Sequence, residues 1–300
     1  MLTPLYKLVA QAMLGIHALL TPLFGRDSGV TWTLSIVLLV VAMRLLLYPV
    51  FAKQFKSQRR MMDLQPKVKQ LQEKYKNDRQ KLAEEQMKLF RENNVNPFAS
   101  CLPVLLQAPI FLALFRVLSS FKPEASDPSG NTFMAHYGVS KQLVESAAHA
   151  KLFGAPLSVG FRSTDTLIRH LDASPTTVRL VAVIIIIAMT VAQFLASKQM
   201  MSRNAAQAST SMAQQQKIML YVLPVMFGGF AFIYPTPMGV LIYWLTTNLW
   251  SFGQQQLLLR HMVDPNAPRP APSAAAAAPA APVVRKQPVR NTRNARRGKR

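Results

Sequence analysis

Hydrophobic positions fall into long unbroken runs rather than a short alternating pattern. A membrane-crossing helix needs roughly 20 mostly apolar residues. Residues 30–51, 97–121, 177–197, 217–234 and 238–259 meet that need or approach it. The first run holds one charge, Arg44, and the second carries Pro103, Pro109 and Arg116. The fourth is shorter and contains Pro224 and the pair Gly228-Gly229. Pro235-Thr236-Pro237 separates the last two runs, which predicts a tight helical hairpin. The pattern is that of an all-α integral membrane protein with five spans.

Between the first two runs the pattern changes. Residues 61, 64, 68, 71 and 75 are apolar at helical spacing, and so are 82, 87 and 89/90 on a return arm. Asn77-Asp78 marks a turn between the arms, and Pro66 should interrupt the first one. Segment 52–96 therefore reads as a solvated helical hairpin. It is far longer than the roughly 2–8 residues that usually join two helices, so it is expected to be a docking arm rather than a spacer.

The two ends are different again. Residues 2–24 are apolar but interrupted by Lys7, Gln11 and His17, and Pro4 and Pro22 bracket them. No small-residue cleavage site precedes Phe24. Segment 1–28 is expected to be an amphipathic helix lying in the outer interface; a cleaved signal and a sixth span are the alternatives. Residues 263–300 are Pro- and Ala-rich and then strongly basic, a composition that cannot bury a core and predicts disorder. Its anionic partners would be lipid headgroups or ribosomal RNA.

Charge orients these elements. The 300 residues carry a formal net charge of +22 at a mean hydropathy of +0.14. Segment 52–96 holds twelve Lys and Arg, and 260–300 holds ten against the single acid Asp264. Segment 122–176 balances five basic residues with five acidic ones. The excess of Lys and Arg marks cytoplasmic loops. The hairpin, the short loop 198–216 and the tail are thus expected inside, with the N-terminus and loop 122–176 outside, in a plasma membrane. Cys101 is the single cysteine, so no internal disulfide can form. Fifteen methionines suit apolar surfaces that accept varied partners.

Several chemistries are excluded. No Asp, Glu or His falls within the five runs, which argues against intramembrane proteolysis and proton-relay transport. No HExxH, GxSxG, P-loop or GxGxxG is present. No catalytic residue, metal ligand or cofactor is expected, and the chain does not read as an enzyme. The charge at depth, Arg44, cannot lose its proton. It stands seven residues from the inner end of its run, about 10 Å along a helix.

Other polar residues fall at a similar depth: Gln107 in the second run, Gln193 in the third, and Thr247, Asn248, Ser251 and Gln255 in the fifth. Thr247, Ser251 and Gln255 share one helical face, with Asn248 beside it. Together with Arg44 these residues could line a polar cavity open to the cytoplasm. Snorkelling by Arg44 and simple helix–helix hydrogen bonding by the amides are the plainer readings.

Five stretches resemble the YidC family of membrane protein insertases, related to the mitochondrial Oxa and chloroplast Alb proteins. They are MRLLLYP (43–49), LQPKVKQLQEKY (64–75), NVNPFASCLPVLLQAPIFLALF (94–115), QQQKIMLYVLPVMF (214–227) and PTPMGVLIYWLTTNLWSFGQQQLL (235–258). The resemblance covers roughly residues 2–262 and is to the short Gram-positive, actinobacterial form, without the large extracytoplasmic domain of Gram-negative members. It implies a five-helix insertase core with a hydrophilic groove open to the cytoplasm, in which Arg44 is the groove arginine. It also implies an apolar slide for the substrate, here Leu106, Ile110, Phe111, Met226 and Trp244. The partners it implies are nascent membrane proteins, the Sec translocon, the ribosome and targeting factors that meet hairpin 52–96. One departure is Val40, where some relatives carry a hydroxyl one turn before the arginine. A channel or small-solute transporter using the same cavity, and a ribosome-docking scaffold, are the competing function classes.

Overall fold

The structure is a computed structural model that describes residues 3–96, 102–121, 137–202 and 210–262. The chain divides into a main unit, residues 1–259, and a segment 260–300. The basic tail expected to be disordered (263–300), Cys101 and the side chain of Leu106 lie outside the described residues.

The main unit is helical. Its elements run α1 (Thr3–Phe24), α2 (Gly29–Leu46), α3 (Tyr48–Asp63), α4 (Gln65–Lys74), α5 (Arg79–Glu92) and α6 (Leu102–Ser119). Then come α7 (Lys141–His149), the strands β1 (Lys151–Leu152) and β2 (Ala155–Pro156), and α8 (Asp165–His170). The last three helices are α9 (Pro175–Ser202), α10 (Thr210–Ile233) and α11 (Met238–Met262). Among the described residues three helices are long and apolar enough to cross a membrane: α1, α2 and α9. Gln107–Ser119 of α6 and Leu220–Ile233 of α10 are shorter apolar stretches.

Local chemistry sets the boundaries. Gly25, at φ +85°, follows α1, and its N–H donates to Thr21 O, closing the last turn in the left-handed region glycine tolerates. Ser28 caps α2 by accepting from Val30 N–H. α2 stops at Leu46, short of the expected inner end at residue 51. Pro49 has no N–H to donate to the Leu45 carbonyl, and its ring crowds that turn. The chain restarts as α3 and runs into the hairpin α4–α5. Leu64 interrupts its first arm just before Pro66, and Asp78 caps the return arm by accepting from Lys81 N–H at 2.9 Å.

Residues 137–174 form a cap on one end of the bundle. Ser140 and Thr164 cap α7 and α8. The cap docks by backbone contact: Met238 N–H donates to Val159 O at 2.8 Å and Gly239 N–H to Leu157 O at 2.9 Å. It meets the first residue of α2, the start of α9 and the start of α11, because Gly29 touches the backbone of Lys151, Gly154 touches Thr177 and Gly160 touches Thr236. The N-termini of α2, α9 and α11 therefore lie at one face, together with the C-terminal end of α6. Leu118 and Phe121 at that end line a cavity of about 20 Å³ with Met13, Trp32, Ile36, Leu157 and Gly239. α1 buries Val9, Ala10, Met13 and His17 and packs against α2 and α6. α9 and α10 pack closely where Gly228 faces Thr190.

Two of these glycines are seats with no spare room. A Cβ at Gly160 would stand 1.9 Å from Thr236 O, and one at Gly29 would stand 1.7 Å from Lys151 O. Both obstacles are backbone. Gly160→Ala and Gly29→Ala are each expected to cost at least about 1–3 kcal/mol, as overpacking does. Gly15→Ala, with nothing within 4 Å, is expected to be neutral or stabilising by about 0.5–1 kcal/mol. Thermal midpoints in detergent check the contrast; equal midpoints for Gly160→Ala and Gly15→Ala would refute tight seating of the cap.

Candidate functional site

The cap fixes the register of the bundle below it. Gly239 of α11 lies against Ile36 of α2 and Leu118 of α6. α2 and α11 run parallel from this level, and α6 runs antiparallel to them. One turn down, Tyr243 comes level with Val40. A second turn brings Thr247 level with Arg44, while α6 brings up Phe111 and then Gln107.

The polar contacts follow this register. The Gln107 Nε2 donates to the Tyr243 hydroxyl at 3.0 Å. Arg44 and Tyr243 are close enough to interact electrostatically. Arg44 is only 9% exposed, and its guanidinium lies 5.1 Å from the centre of the Phe51 ring. That contact reaches across the break at Leu47 and is a favourable cation–π arrangement. Among the described residues no carboxylate pairs with Arg44, and no group of His, Cys, Asp and Glu could hold a metal. Thr247 is buried, with its hydroxyl beside that of Tyr243 one turn back. A buried cation with no carboxylate partner is costly unless water or a polar ligand reaches it.

The remaining predicted polar residues divide. Asn248 is buried and turns to α9, with Nδ2 3.5 Å from the Met189 carbonyl. Gln193, one turn beyond Met189, is half-buried on that same face of α9. Ser251 is half-buried and donates back to the Thr247 carbonyl at 2.8 Å, as Ser does inside helices. Gln255 is half-buried one turn further along α11. The structure thus brings Arg44, Gln107 and Thr247 together, and spreads Gln193, Asn248, Ser251 and Gln255 along the α9–α11 side.

The apolar residues form an aromatic run beside this cluster. Phe111 lies 5.7 Å from Trp244 and 6.2 Å from Tyr243, and Phe227 meets Trp244 edge-on at 4.7 Å. Ile110 is half-buried against the core, and Met226 is 55% exposed on α10. Tyr243, Phe51 and Phe227 were not among the residues picked from the sequence. Tyr243 was within reach of that reading, because it continues the Thr247, Ser251, Gln255 face one turn back.

The long apolar helices define a multi-pass helical membrane protein. The family model described as 60Kd inner membrane protein matches residues 23–265, so the chain belongs to that family, in agreement with the sequence motifs. The chain is 39% identical over 269 residues to a membrane protein insertase YidC of Streptomyces avermitilis, covering 89% of this chain and 59% of that protein. It is 32% identical over 303 residues to the membrane protein insertase YidC of Mycobacterium tuberculosis strain H37Rv, covering 97% and 81%. A third relative of the same description, from Tropheryma whipplei strain Twist, is 33% identical over 275 residues, covering 89% and 86%.

Proposed function

We propose that the chain is a membrane protein insertase working through a polar groove around Arg44. In this reading α2, α6, α9, α10 and α11 are five spans with the capped face outside. Segment 52–96, which follows the opposite end of α2 and carries hairpin α4–α5, lies in the cytoplasm with its twelve basic residues. α1 lies in the outer interface, the N-terminus is outside and the C-terminus inside. The observation that carries the reading is Arg44: buried, without a carboxylate partner among the described residues, level with Gln107 and Thr247.

The mechanism needs no chemical step and no cofactor. A polar, often acidic, flank of a nascent chain enters from the cytoplasm and exchanges part of its water for Arg44, Gln107 and Thr247. This lowers the desolvation cost of its passage. The adjoining apolar segment leaves along Ile110, Phe111, Met226 and Trp244 and partitions into lipid. The membrane potential assists acidic flanks. Hairpin 52–96 receives a targeting factor or the Sec translocon, and the basic tail meets the ribosome or anionic lipid.

Among the described residues Trp32, Ile36, Leu118 and Gly239 pack under the cap around a cavity of about 20 Å³, which favours an insertase over a channel. Photo-crosslinkers at Gln107 and Thr247 are expected to capture a stalled nascent membrane protein, while one at Gln142 on α7 is not. Capture at Gln142 with none at Gln107 or Thr247 would sink the groove reading.

A further inference from the structure

The strands β1 and β2 pair antiparallel, Lys151 with Pro156 and Leu152 with Ala155. Phe153 and Gly154 are the two residues of the connecting loop, at φ +52° and +79°. Two positive φ values fit a type I′ turn, whose preferred sequence is Asn-Gly. Phenylalanine in the first position holds a bulky side chain in the left-handed region, at a cost on the general scale for L-residues. No burial within the protein offsets that strain, since Phe153 is 80% exposed.

The place of the tip explains the ring. Lys151 touches Gly29, the first residue of α2, and Gly154 lies against Thr177, the third residue of α9. Exposed apolar surface begins just beyond both points. Val30 is 45% exposed, and Leu180, Ile184 and Ile187 on α9 are 60%, 57% and 56% exposed. Leu180 is about 5 Å along the helix from Thr177. The ring therefore stands at the boundary where two apolar helices begin. Beside it Gly154 has no side chain, and the Lys151 ammonium is drawn away, donating to the Asp172 carbonyl at 2.8 Å.

We propose that Phe153 is a lipid anchor: the β1–β2 tip sets its ring into the interfacial layer of the outer leaflet and holds the cap against the bilayer. Exposed Phe, Trp and Leu side chains of interfacial segments bury themselves at the boundary between headgroups and acyl chains. Transfer of the ring from water into the interface compensates the strained turn that presents it. The inference depends on α2 and α9 crossing the membrane and not on the groove around Arg44.

The test uses the full chain in phospholipid vesicles with Cys101→Ser and nitroxide labels introduced through Phe153→Cys, Leu180→Cys or Gln142→Cys. Collision with oxygen, enriched in lipid, is compared with collision with a water-soluble nickel chelate. The oxygen-to-nickel ratio at 153 is expected to be several-fold above that at 142 and to approach that at 180. A ratio at 153 equal to that at 142 places the tip in water and overturns the proposal. Weak collision with both agents means that a protein surface covers the tip, which also overturns it. A low ratio at 153 and 180 together would overturn the spanning of α9 along with the anchor. A second variant, Phe153→Asn, restores the preferred turn residue and should keep or raise the thermal midpoint in detergent. A clear fall would mean that the ring packs within the protein, against the proposal.

Discussion

Arg44→Ala is expected to slow insertion of a substrate with an acidic flank by about 10- to 100-fold. The estimate corresponds to the loss of about 1.5–3 kcal/mol, the usual contribution of a hydrogen bond to a charged group. Arg44→Lys should recover only part of the rate, because an ammonium keeps the charge but lacks the planar fork that grips a carboxylate. A substrate whose flank is polar but uncharged should be much less affected, since Gln107 and Thr247 remain. Insertion into vesicles by stopped translation and protease protection reads all three. Full-rate insertion of the acidic substrate by Arg44→Ala would remove the charge from the mechanism. Equal slowing of both substrates would point to Arg44 holding the bundle together through Phe51 and Tyr243 instead.

That alternative is testable because the surroundings of Arg44 are specific. The Phe51 contact crosses the helix break at Leu47, so loss of Arg44 also loosens the joint between α2 and α3. Phe51→Leu removes the ring face but leaves the cation. The groove reading expects this variant to retain most of the insertion rate for the acidic substrate, separating a positioning contact from the charge itself.

The register of this cluster shows what sequence periodicity carries and what it does not. Arg44, Gln107 and Thr247 stood out because each is polar within an apolar run. Tyr243 did not stand out, since a tyrosine in such a run reads as apolar, yet its hydroxyl accepts from Gln107 and lies near enough to Arg44 to interact with its charge. The hairpin was legible from Pro66 and Asn77-Asp78 because single residues break helices at fixed places. The premature end of α2 was equally written in Pro49 but was masked by the apolar run continuing to Phe51.

The cap was the larger omission. Its helices span nine and six residues and its strands two each, too short for either hydrophobic period to develop. It is built instead from caps at Ser140 and Thr164, a turn at Phe153-Gly154, and backbone hydrogen bonds to α11. Such contacts are specified by distant residues, as Gly160 with Thr236 and Gly29 with Lys151 illustrate. One sequence cannot reveal which glycine is a seat and which, like Gly15, is not.

Trp32→Ala is expected to be the most destabilising single change at this end, because Trp32 is where the cap, α1, α2 and α6 meet. The side chain is 2% exposed. Its ring lies 4.0 Å from His17 of α1 and 5.5 Å from Phe121, and its Nε1–H donates to the Ser146 hydroxyl of α7 at 3.0 Å. Truncating a buried Trp costs about 3–5 kcal/mol, and here the new void would merge with the existing cavity. Trp32→Phe keeps most of the packing and forfeits the hydrogen bond, so about 1 kcal/mol is expected. The thermal midpoint in detergent should fall far more for Ala than for Phe. Trypsin should cut at Arg162 or Arg169 sooner in Trp32→Ala, since the cap loses its anchor on α2. Equal losses for the two variants would assign the stability to the hydrogen bond with Ser146. Unchanged trypsin sensitivity in Trp32→Ala would mean that the backbone bonds from Met238 and Gly239 hold the cap alone. The structure favours a joint anchorage: α11 fixes the cap through its backbone, and Trp32 ties that same cap to the helix that carries Arg44.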